Sequence, residues 1–245
     1  MTSPTILDCE QRTDEWRMIR CGKVTGSRIT DVLAKVKDPK AEAATRRSYR
    51  AEIIAEILTG LPVESYISPA MQWGIDTEPF ARAAYELTCN TTVDNVGFAI
   101  HPHLPRFGSS PDGTIGEDGL VEIKCPNTAT HIDYILAGAV PTDYQAQMLA
   151  EMACTGRQWC DFVSFDPRLP RHLQLFVRRF SRDETRIAEI EQKVAKFLAE
   201  VDDVIFRLDA TVPIEDNPRS DSLLTQLQDS LSAVLDRKHS DEITI

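Results

Sequence analysis

The chain lacks the marks of several protein classes. None of its apolar runs approaches the roughly 18 residues that a membrane span needs, so no membrane association is expected. The first ten residues have neither a basic region nor an apolar core, so no signal peptide is expected and the cytoplasm is the expected compartment. Aromatic residues make up only 7% of the chain, which is few for a surface that stacks on sugars. No internal repeat is visible.

Metal-binding patterns of the zinc and iron–sulfur type are also weak. The six cysteines are scattered and no two have the C-x-x-C spacing, so free thiols are expected, with a zinc or iron–sulfur site as the alternative. His101 and His103 have a spacing that zinc ligands can use. Two prolines are interleaved with them and no cysteine pair lies near in sequence, so a polar loop is predicted there instead.

Positive charge is scarce as well. The formal net charge of -11 argues against a nucleic-acid-binding surface over the whole molecule, because contacts to phosphate need Lys and Arg. Net charge is a global sum, however, and a binding groove is local. An acidic outer surface with a basic groove is therefore compatible with this composition.

What the chain does have is an alternation of helical and strand patterns, with 42% hydrophobic and 27% charged residues, typical of a globular α/β domain. The predicted helices are 41–58, 73–87, 130–137, 144–153 and 182–208, and the predicted strands are 91–100, 106–109, 120–124, 159–165 and 173–177. We predict one domain over 1–210, a linker over 211–221, and an amphipathic helix with an acidic tail over 222–245. That helix is too small for a core of its own and must dock on its domain, another subunit or a partner.

The N-terminal region carries hydroxyl and basic residues around a glycine. Gly22 is predicted to end a short helix, and Thr25 or Ser27 to cap a second one. A hydroxyl at a helix N-terminus beside Arg20 and Lys23 is typical of an anion pocket. The alternative is a plain capping residue with solvated basic neighbours.

An acidic turn followed by a short apolar run carries the candidate chemistry. Asp112 lies in a Ser-Pro-Asp-Gly turn, and Glu122 and Lys124 lie in a Leu-Val-Glu-Ile-Lys-Cys-Pro run. Residues two apart in a strand share a face, so Glu122 and Lys124 point the same way while Ile123 points into the core. A hairpin between the two motifs can bring Asp112 beside Glu122.

Two carboxylates, with the Ile123 carbonyl beside them, suit Mg²⁺ or Mn²⁺. Such an ion lowers the pKa of its bound water and stabilises charge on a phosphate. Lys124 can orient the attacking water or assist its deprotonation. These are the requirements of phosphodiester hydrolysis. A hairpin acid with a surface salt bridge is the structural alternative, and a two-carboxylate glycosidase fits poorly because of the lysine and the few aromatic residues.

At this point the chain resembles a known family. The two motifs are similar to the PD-(D/E)-x-K nuclease motif, and more specifically to that of the lambda exonuclease and YqaJ-type viral recombinases. Four further stretches resemble this family in the same order: Glu15, Trp16, Arg20, Gly22, Val24, Thr25 and Ser27; Trp73, Gly74 and Glu78; Tyr144, Gln145, Ala146 and Gln147; and Phe165, Asp166, Pro167 and Arg168. The likeness covers about 14–208, and five ordered motifs are far more specific than the central triplet.

The resemblance implies a fold and a set of site residues. The implied fold is an α/β, restriction-endonuclease-like core with a central mixed sheet flanked by helices. The implied roles are metal binding for Asp112, Glu122 and Ile123, catalysis for Lys124, Glu78 and Gln147, and binding of the 5′-phosphate or DNA for Arg20, Ser27 and Tyr144. Two Mg²⁺ or Mn²⁺ ions are the implied cofactors.

The resemblance also implies an activity. It is 5′-to-3′ exonuclease action on linear double-stranded DNA ends, leaving a 3′ overhang for a single-strand-annealing partner, by a homotrimeric ring in a phage-infected or bacterial cytoplasm. A ring would reconcile the net charge if Arg46, Arg47 and Arg50 lined it. The alternatives are a PD-(D/E)-x-K endonuclease, an iron–sulfur relative, or a recombination scaffold that binds DNA ends. One departure is Glu117 and Asp118 in the hairpin, where family members can offer a hydroxyl to phosphate.

Overall fold

A computed structural model of the chain describes residues 4–36, 41–64 and 66–211. The chain divides into two compact units, Met1–Asp202 and Asp203–Ile245. The described part of the second unit is helical, and the predicted linker and C-terminal helix lie beyond the described residues, apart from Thr211. Across the part that is described, no helix is long and apolar enough to cross a membrane.

The described residues form seven α-helices and eight strands, joined in places by short 3₁₀ turns. The helices are α1 (Asp14–Arg20), α2 (Ile29–Leu33), α3 (Ala44–Thr59), α4 (Pro69–Cys89), α5 (Thr128–Ala137), α6 (Thr142–Thr155) and α7 (Glu184–Thr211). The strands are β1 (Thr5–Leu7), β2 (Val24–Thr25), β3 (Phe98–Ile100), β4 (Phe107–Ser109), β5 (Gly113–Ile115), β6 (Gly119–Lys124), β7 (Trp159–Phe165) and β8 (Leu175–Ser181).

The strands form two mixed sheets flanked by helices, which confirms the predicted fold class. The first sheet has the order β1-β3-β4-β2, with β2 and β4 parallel. The second has the order β5-β6-β7-β8, with β6 and β7 parallel and the outer pairs antiparallel. The mixed sheet of the prediction is thus present as two sheets of four strands each. The turn between β4 and β5 contains Pro111, which cannot donate to a ladder, and the chain changes sheet there.

Strand β6 lies in the middle of the second sheet and is covered on both faces. On one face Val121 and Ile123 pack with Ala81 and Tyr85 of α4 and with Val163 of β7. On the other face lies α6, whose last eight residues are all buried. A strand covered on both faces usually consists of apolar residues only, so the charged residues Glu122 and Lys124 are unusual in β6.

Helix α4 is longer than the predicted helix 73–87 and contains Pro79 in its interior. Ser68 caps it by accepting a hydrogen bond from the Met71 backbone, and Pro69 occupies the first turn, where a missing N–H costs nothing. The helix ends at Asn90, which adopts a left-handed conformation. This helix carries Glu78 to the end of the sheet where Asp112 lies, as the contacts below show.

Candidate active site

Asp112 is fixed between two elements at the start of the β5–β6 hairpin. The pairing of Gly113 with Val121 places the residue before β5 next to the C-terminal half of β6. The Ile123 backbone N–H donates to Asp112 Oδ2 at 2.6 Å, and Arg82 of α4 donates to the Asp112 carbonyl. The N–H and C=O of one strand residue point to the same side, so the Ile123 carbonyl also faces Asp112. The hairpin expected from the sequence therefore brings the two motifs together.

Glu122 is the centre of a polar network beneath the cleft. Its side chain is 1% exposed and forms an ion pair with Lys124 on the same face of β6. Gln147 of α6 donates through Nε2 to Glu122 Oε1 at 2.7 Å and to Glu151 Oε1 at 2.9 Å. A single amide thus holds two buried carboxyl groups, which places Gln147 beside Glu122.

Burial and the nearness of other carboxylates both disfavour the charged form of the acidic side chains in this site. Burial, and then the neighbouring Glu122 carboxylate, raises the pKa of Asp112, and the same two causes raise the pKa of Glu151. Burial by itself would lower the pKa of Lys124, but the carboxylates of Glu122 and Asp112 outweigh it and raise that pKa. Lys124 is therefore a charged donor in this arrangement, which favours its role in orienting a water or stabilising charge over a role as a base.

The donor set fits a hard divalent cation. Asp112 and Glu122 supply carboxylate oxygens, the Ile123 carbonyl faces the same side, and the unrelieved negative charge favours a cation there. Within the described ranges, no group of three His, Cys, Asp or Glu side chains is arranged to hold a metal. An ion at this position would thus rest on two carboxylates, a carbonyl and water, as Mg²⁺ commonly does.

Glu78 approaches the same centre from α4. Its carboxylate is 20% exposed and forms an ion pair with Arg12, which no sequence motif indicated. Glu78 lies close enough to contribute, after burial, to the raised pKa of Cys125, which is about 12. A thiol with that pKa is protonated at neutral pH, so Cys125 is not a nucleophile here.

Arg20 lies in a half-buried pocket next to this centre. Its guanidinium stacks over the ring of Trp16 at 3.9 Å, and Trp16 donates through Nε1 to Ser110 Oγ at 2.8 Å. Burial lowers the pKa of Arg20 to about 10, so it is still charged at neutral pH. Among the residues that are described, its side chain has no hydrogen-bond acceptor. A buried cation without a protein acceptor is able to bind an anion.

Ser27 is exposed in the 3₁₀ turn before α2 and lies beside Thr25, with 3.4 Å between their hydroxyl oxygens. The predicted capping role is wrong, because neither hydroxyl makes a capping bond to α2. Gly26 packs so closely that a Cβ on it would lie 3.0 Å from Ser109 Cβ and 3.8 Å from Glu151 Cγ. The turn that carries Ser27 is therefore pressed against the active-site elements.

Tyr144 lies beside Lys124. Lys124 Nζ is 5.2 Å from the centre of the Tyr144 ring, and that ring stacks on Phe162 at 5.3 Å. Tyr134 makes an edge contact with it at 6.3 Å. The structure thus links Tyr144 with Lys124 and the floor of the cleft; no contact joins it to Arg20 or Ser27 among the residues described.

The expected basic lining is wrong for two of its three arginines. Arg46 and Arg50 both form ion pairs with Glu42 and Glu200, and the guanidinium of Arg46 also lies over an aromatic ring of α7. Their charge is neutralised inside the protein. Arg47 is exposed and has no ion pair among the residues described. Sequence spacing alone could not show which arginine had acidic neighbours.

The acidic hairpin lies at the other end of the sheet from the site. Glu117 and Asp118 sit in the turn before β6, a strand of six residues, so the turn is about 16 Å from the end that bears Lys124. Arg157 fixes the turn by donating to the carbonyls of Gly116 at 2.7 Å and Gly119 at 2.9 Å. The two acids therefore lie far from Lys124.

The two-histidine segment is a loop, as predicted. His101 is buried, shares a 2.9 Å hydrogen bond with Glu191 of α7, and accepts from the backbone N–H of His103. Burial lowers the pKa of His101, which favours the neutral ring. Its two nitrogens are thus both occupied by protein groups, and it is a structural residue rather than a metal ligand.

Three residues of the site were missed by the sequence reasoning, namely Arg12, Arg82 and Glu151. Glu151 had a detectable signal, since it shares a helical face with Gln147 and stands among apolar residues of α6. Arg82 lies one turn after Glu78 on α4, which is a weaker signal. Arg12 precedes α1 in a loop, where no periodicity applies.

The chain is similar to proteins of known family and structure. The sequence model of the YqaJ-like viral recombinase domain matches residues 15–158. Two crystal structures of LHK-Exo, an alkaline exonuclease from Laribacter hongkongensis, are 49% identical to this chain, one of them in complex with dAMP; each covers 81% of this chain and 97% of its own, with TM-scores of 0.76 and 0.75. A phage-related exonuclease from Haemophilus somnus 129PT is 16% identical over 76% of this chain and 96% of its own, with a TM-score of 0.59, which supports the fold alone. No match was found among curated protein sequences.

Proposed function

The chain belongs to the family of YqaJ-like viral recombinase domains, and on that premise we propose that it is a metal-dependent 5′-to-3′ exonuclease acting on the ends of linear double-stranded DNA. The observation that carries the proposal is the convergence of Asp112, Glu122 and Lys124 at one end of β6, beside a half-buried Arg20. The first group suits phosphodiester hydrolysis, and the second suits a terminal phosphate.

The catalytic half of the site would hold Mg²⁺ or Mn²⁺, two ions in the proposed mechanism, on Asp112, Glu122 and the Ile123 carbonyl. Bound there, the metal would supply an activated water and stabilise charge on the scissile phosphate. Lys124 would donate a hydrogen bond to the attacking water or the phosphate, since the carboxylates keep it protonated. Gln147 would hold the Glu122 carboxylate in place from behind.

The terminal half of the site would select a 5′-phosphate. Arg20 is charged and lacks a protein acceptor among the residues described, and the Ser27 hydroxyl is exposed on a neighbouring turn. Trp16 joins the two halves, because it stacks under Arg20 and bonds to Ser110 two residues before Asp112. A fixed spacing between terminal phosphate and cutting centre is what exonucleolytic removal of single nucleotides needs. The complex of the related LHK-Exo with dAMP, a nucleoside monophosphate, agrees with such a product.

The proposal extends to assembly and cell biology. For a viral recombinase of this family we expect a homotrimeric ring around DNA and a cytoplasmic site of action. We also expect the 3′ overhang to pass to a single-strand-annealing protein. The nuclease domain is proposed to span 1–210, with 211–221 as a linker and 222–245 as a docking helix and acidic tail. Deleting 213–245 should weaken assembly or partner binding and spare the nuclease chemistry.

The experiment is digestion of a linear duplex in Mg²⁺, with a 5′-phosphate or a 5′-hydroxyl and a label at either end. The wild type should degrade the 5′-phosphorylated strand faster and release the 5′ label first. Lys124→Ala should lose about 10²- to 10³-fold in rate, while Lys193→Ala on the exposed face of α7 should not. Absence of digestion by the wild type, or an undiminished rate in Lys124→Ala, would overturn the assignment.

The same experiment separates the alternatives. Cutting of closed circular DNA would indicate an endonuclease, since a circle has no end for the Arg20 pocket. Recombination function that persists in Glu122→Ala would indicate a scaffold that binds DNA ends without cutting. The contacts of Asp112 with β6 and of Glu122 with Lys124 argue against a scaffold without catalysis, and the Arg20 pocket argues against an endonuclease.

A further inference from the structure

Arg12 has an unusual backbone conformation beside the active site. Its φ is 73°, in the left-handed region, and the other non-glycine residue with a positive φ in the described part is Asn90, which ends α4. A helix end explains Asn90, since left-handed residues commonly close helices. Arg12 lies instead in the turn between β1 and α1, where glycine or asparagine is the usual residue at a left-handed position. For a residue with a long side chain, this conformation costs about 1–2 kcal/mol.

The neighbours of Arg12 hold its backbone in that conformation. Gln11 donates through Nε2 to the carbonyls of Val96 at 2.9 Å and Pro111 at 2.8 Å. Thr13 donates to the Glu10 carbonyl at 2.7 Å and accepts from the first turn of α1. Because Pro111 directly precedes Asp112, the loop that bears Arg12 is tied to the turn that bears the catalytic carboxylate.

The side chain of Arg12 reaches the active site from the α4 side. It forms an ion pair with Glu78, and the two side chains are 45% and 20% exposed. Lys124 reaches the same centre from the α6 side, through its ion pair with Glu122. Two cations thus flank the carboxylates at the mouth of the cleft, and Arg12 is the more exposed of the two.

The ion pair with Glu78 does not by itself account for the strained backbone. An ion pair this exposed contributes about 0–1 kcal/mol, which is less than the cost of the left-handed conformation. Strain of this kind persists at sites where the surroundings impose it for a function. A guanidinium offers a planar fork of donors that matches a phosphate group, and a weak ion pair can be exchanged for a phosphate.

We propose that Arg12 is a DNA-binding residue that contacts a backbone phosphate at the mouth of the cleft, and that its ion pair with Glu78 is the resting position it leaves when DNA binds. The inference rests on the proposed nuclease function and deepens it. On release, the Glu78 carboxylate becomes available to the metal centre, so the loop couples DNA binding to the arrangement of the acidic site. Arg12 is thus distinct from Arg20, which is proposed to take the terminal phosphate.

The test uses three full-length variants, Arg12→Gly, Arg12→Gln and Arg12→Lys. Binding to a 5′-phosphorylated duplex is measured by fluorescence anisotropy over a range of salt, with Ca²⁺ in place of Mg²⁺ to slow cleavage. Thermal unfolding and Mn²⁺ binding, by electron paramagnetic resonance, are measured on the protein without DNA. Arg106→Gln is the matched control, because Arg106 is also a partly exposed arginine paired with one carboxylate, that of Asp202, at the other end of β4 from Asp112.

We expect the Arg12 variants to lose DNA affinity without losing stability or Mn²⁺ binding. Arg12→Gly and Arg12→Gln should bind DNA about tenfold more weakly, with a slope of log K against log salt smaller by about one. Arg12→Gly should be at least as stable as the wild type, because glycine accepts the left-handed conformation. Both should bind Mn²⁺ as tightly as the wild type or more tightly, since a competing cation is gone. Arg12→Lys should restore part of the DNA affinity, and Arg106→Gln should behave as the wild type.

Two outcomes would overturn the inference. In one, Arg12→Gly and Arg12→Gln bind DNA with the affinity and salt slope of the wild type, which would make Arg12 only a brace for Glu78. In the other, Arg12→Gly has a lower melting temperature than the wild type, which would make the residue structural. Failure of the proposed nuclease function is distinguishable, because the wild type would then not digest the same duplex when Mg²⁺ replaces Ca²⁺.

Discussion

The carboxylate cluster and the Arg20 pocket lie side by side but are built in opposite ways. In the cluster the polar groups bond to one another: Glu122 to Lys124 and Gln147, and Gln147 in turn to Glu151. In the pocket, Arg20 rests on an aromatic ring and has no hydrogen-bond acceptor among the residues described. The cluster is held in its geometry by the protein, whereas the pocket presents a charge that an incoming anion would satisfy.

The difference fits what each half is proposed to bind. A metal centre needs ligands at fixed distances, so buried second partners such as Gln147 are useful in it. A terminal phosphate brings its own negative charge and acceptors, so the protein needs only an available cation and donors. Arg46 and Arg50 illustrate the contrast. Both guanidinium groups form ion pairs with Glu42 and Glu200, so few of their hydrogen-bond donors are available to a ligand.

The largest expected effect comes from neutralising the centre of the cluster. Glu122→Gln keeps the size of the side chain but removes the charge that pairs with Lys124 and would bind metal, so the rate of digestion should fall by at least about 10³-fold. Binding of Mn²⁺ should weaken in parallel. The measurements are initial digestion rates and Mn²⁺ titration of the free protein.

Glu117→Gln is the matched control for that variant. Glu117 is exposed in the hairpin at the far end of β6, and the chemical change is the same. It should leave the rate and Mn²⁺ binding unchanged. Equal losses in the two variants would mean that general charge, rather than the Glu122 position, determines activity.

The cluster could be foreseen from the sequence far better than the pocket's surroundings. Glu122 and Lys124 stand two apart in an apolar strand, and period-two geometry alone places them on one face. Strand β7 was predicted with the bounds that the structure shows, Trp159–Phe165, because its apolar residues are bounded by clear breaks. Patterns of this kind depend only on residues that are close in sequence, so the folded protein shows the structure that they predict.

Contacts between distant parts of the chain could not be foreseen. Arg12 meets Glu78 across 66 positions, and Arg50 meets Glu200 across 150. The division into two sheets is a similar case, since it depends on where the chain turns after β4. The sequence pattern around a residue does not show which distant residue will pair with it. For this reason Arg46 and Arg50 were assigned to a DNA-binding surface.

A smaller effect is expected in the pocket. Arg20→Gln should lower the preference for a 5′-phosphate over a 5′-hydroxyl by about 10- to 100-fold, the range for loss of a charge-assisted hydrogen bond. Digestion of a 5′-hydroxyl end should change little, because the cluster is untouched. Rates on the two ends give the ratio directly. A uniform loss on both ends would place Arg20 in the cutting centre rather than in recognition of the terminus.

The smallest effect concerns Glu151, which no proposed step uses. Burial and then the Glu122 carboxylate raise its pKa, so the folded protein keeps the proton at pH values where the unfolded chain has lost it. Stability from this group is therefore full below the ordinary glutamic acid pKa of about 4.3 and falls as pH rises towards the raised value. Each unit of that rise corresponds to about 1.4 kcal/mol.

Glu151→Gln should remove this pH dependence, because a glutamine is neutral throughout and its carbonyl can still accept from Gln147 Nε2. In metal-free buffer the free energy of unfolding of the variant, minus that of the wild type, should increase between pH 5 and pH 8. The Asp112 carboxylate also raises the pKa of Glu151, so the difference reports Glu151 together with its coupling to the other carboxyl groups of the cluster. Glu151→Ala should instead lose stability at every pH and slow digestion about tenfold, because Gln147 loses its second acceptor. A pH-independent difference for Glu151→Gln would show that the cluster already tolerates a charged Glu151, and that its negative charge is balanced without a metal.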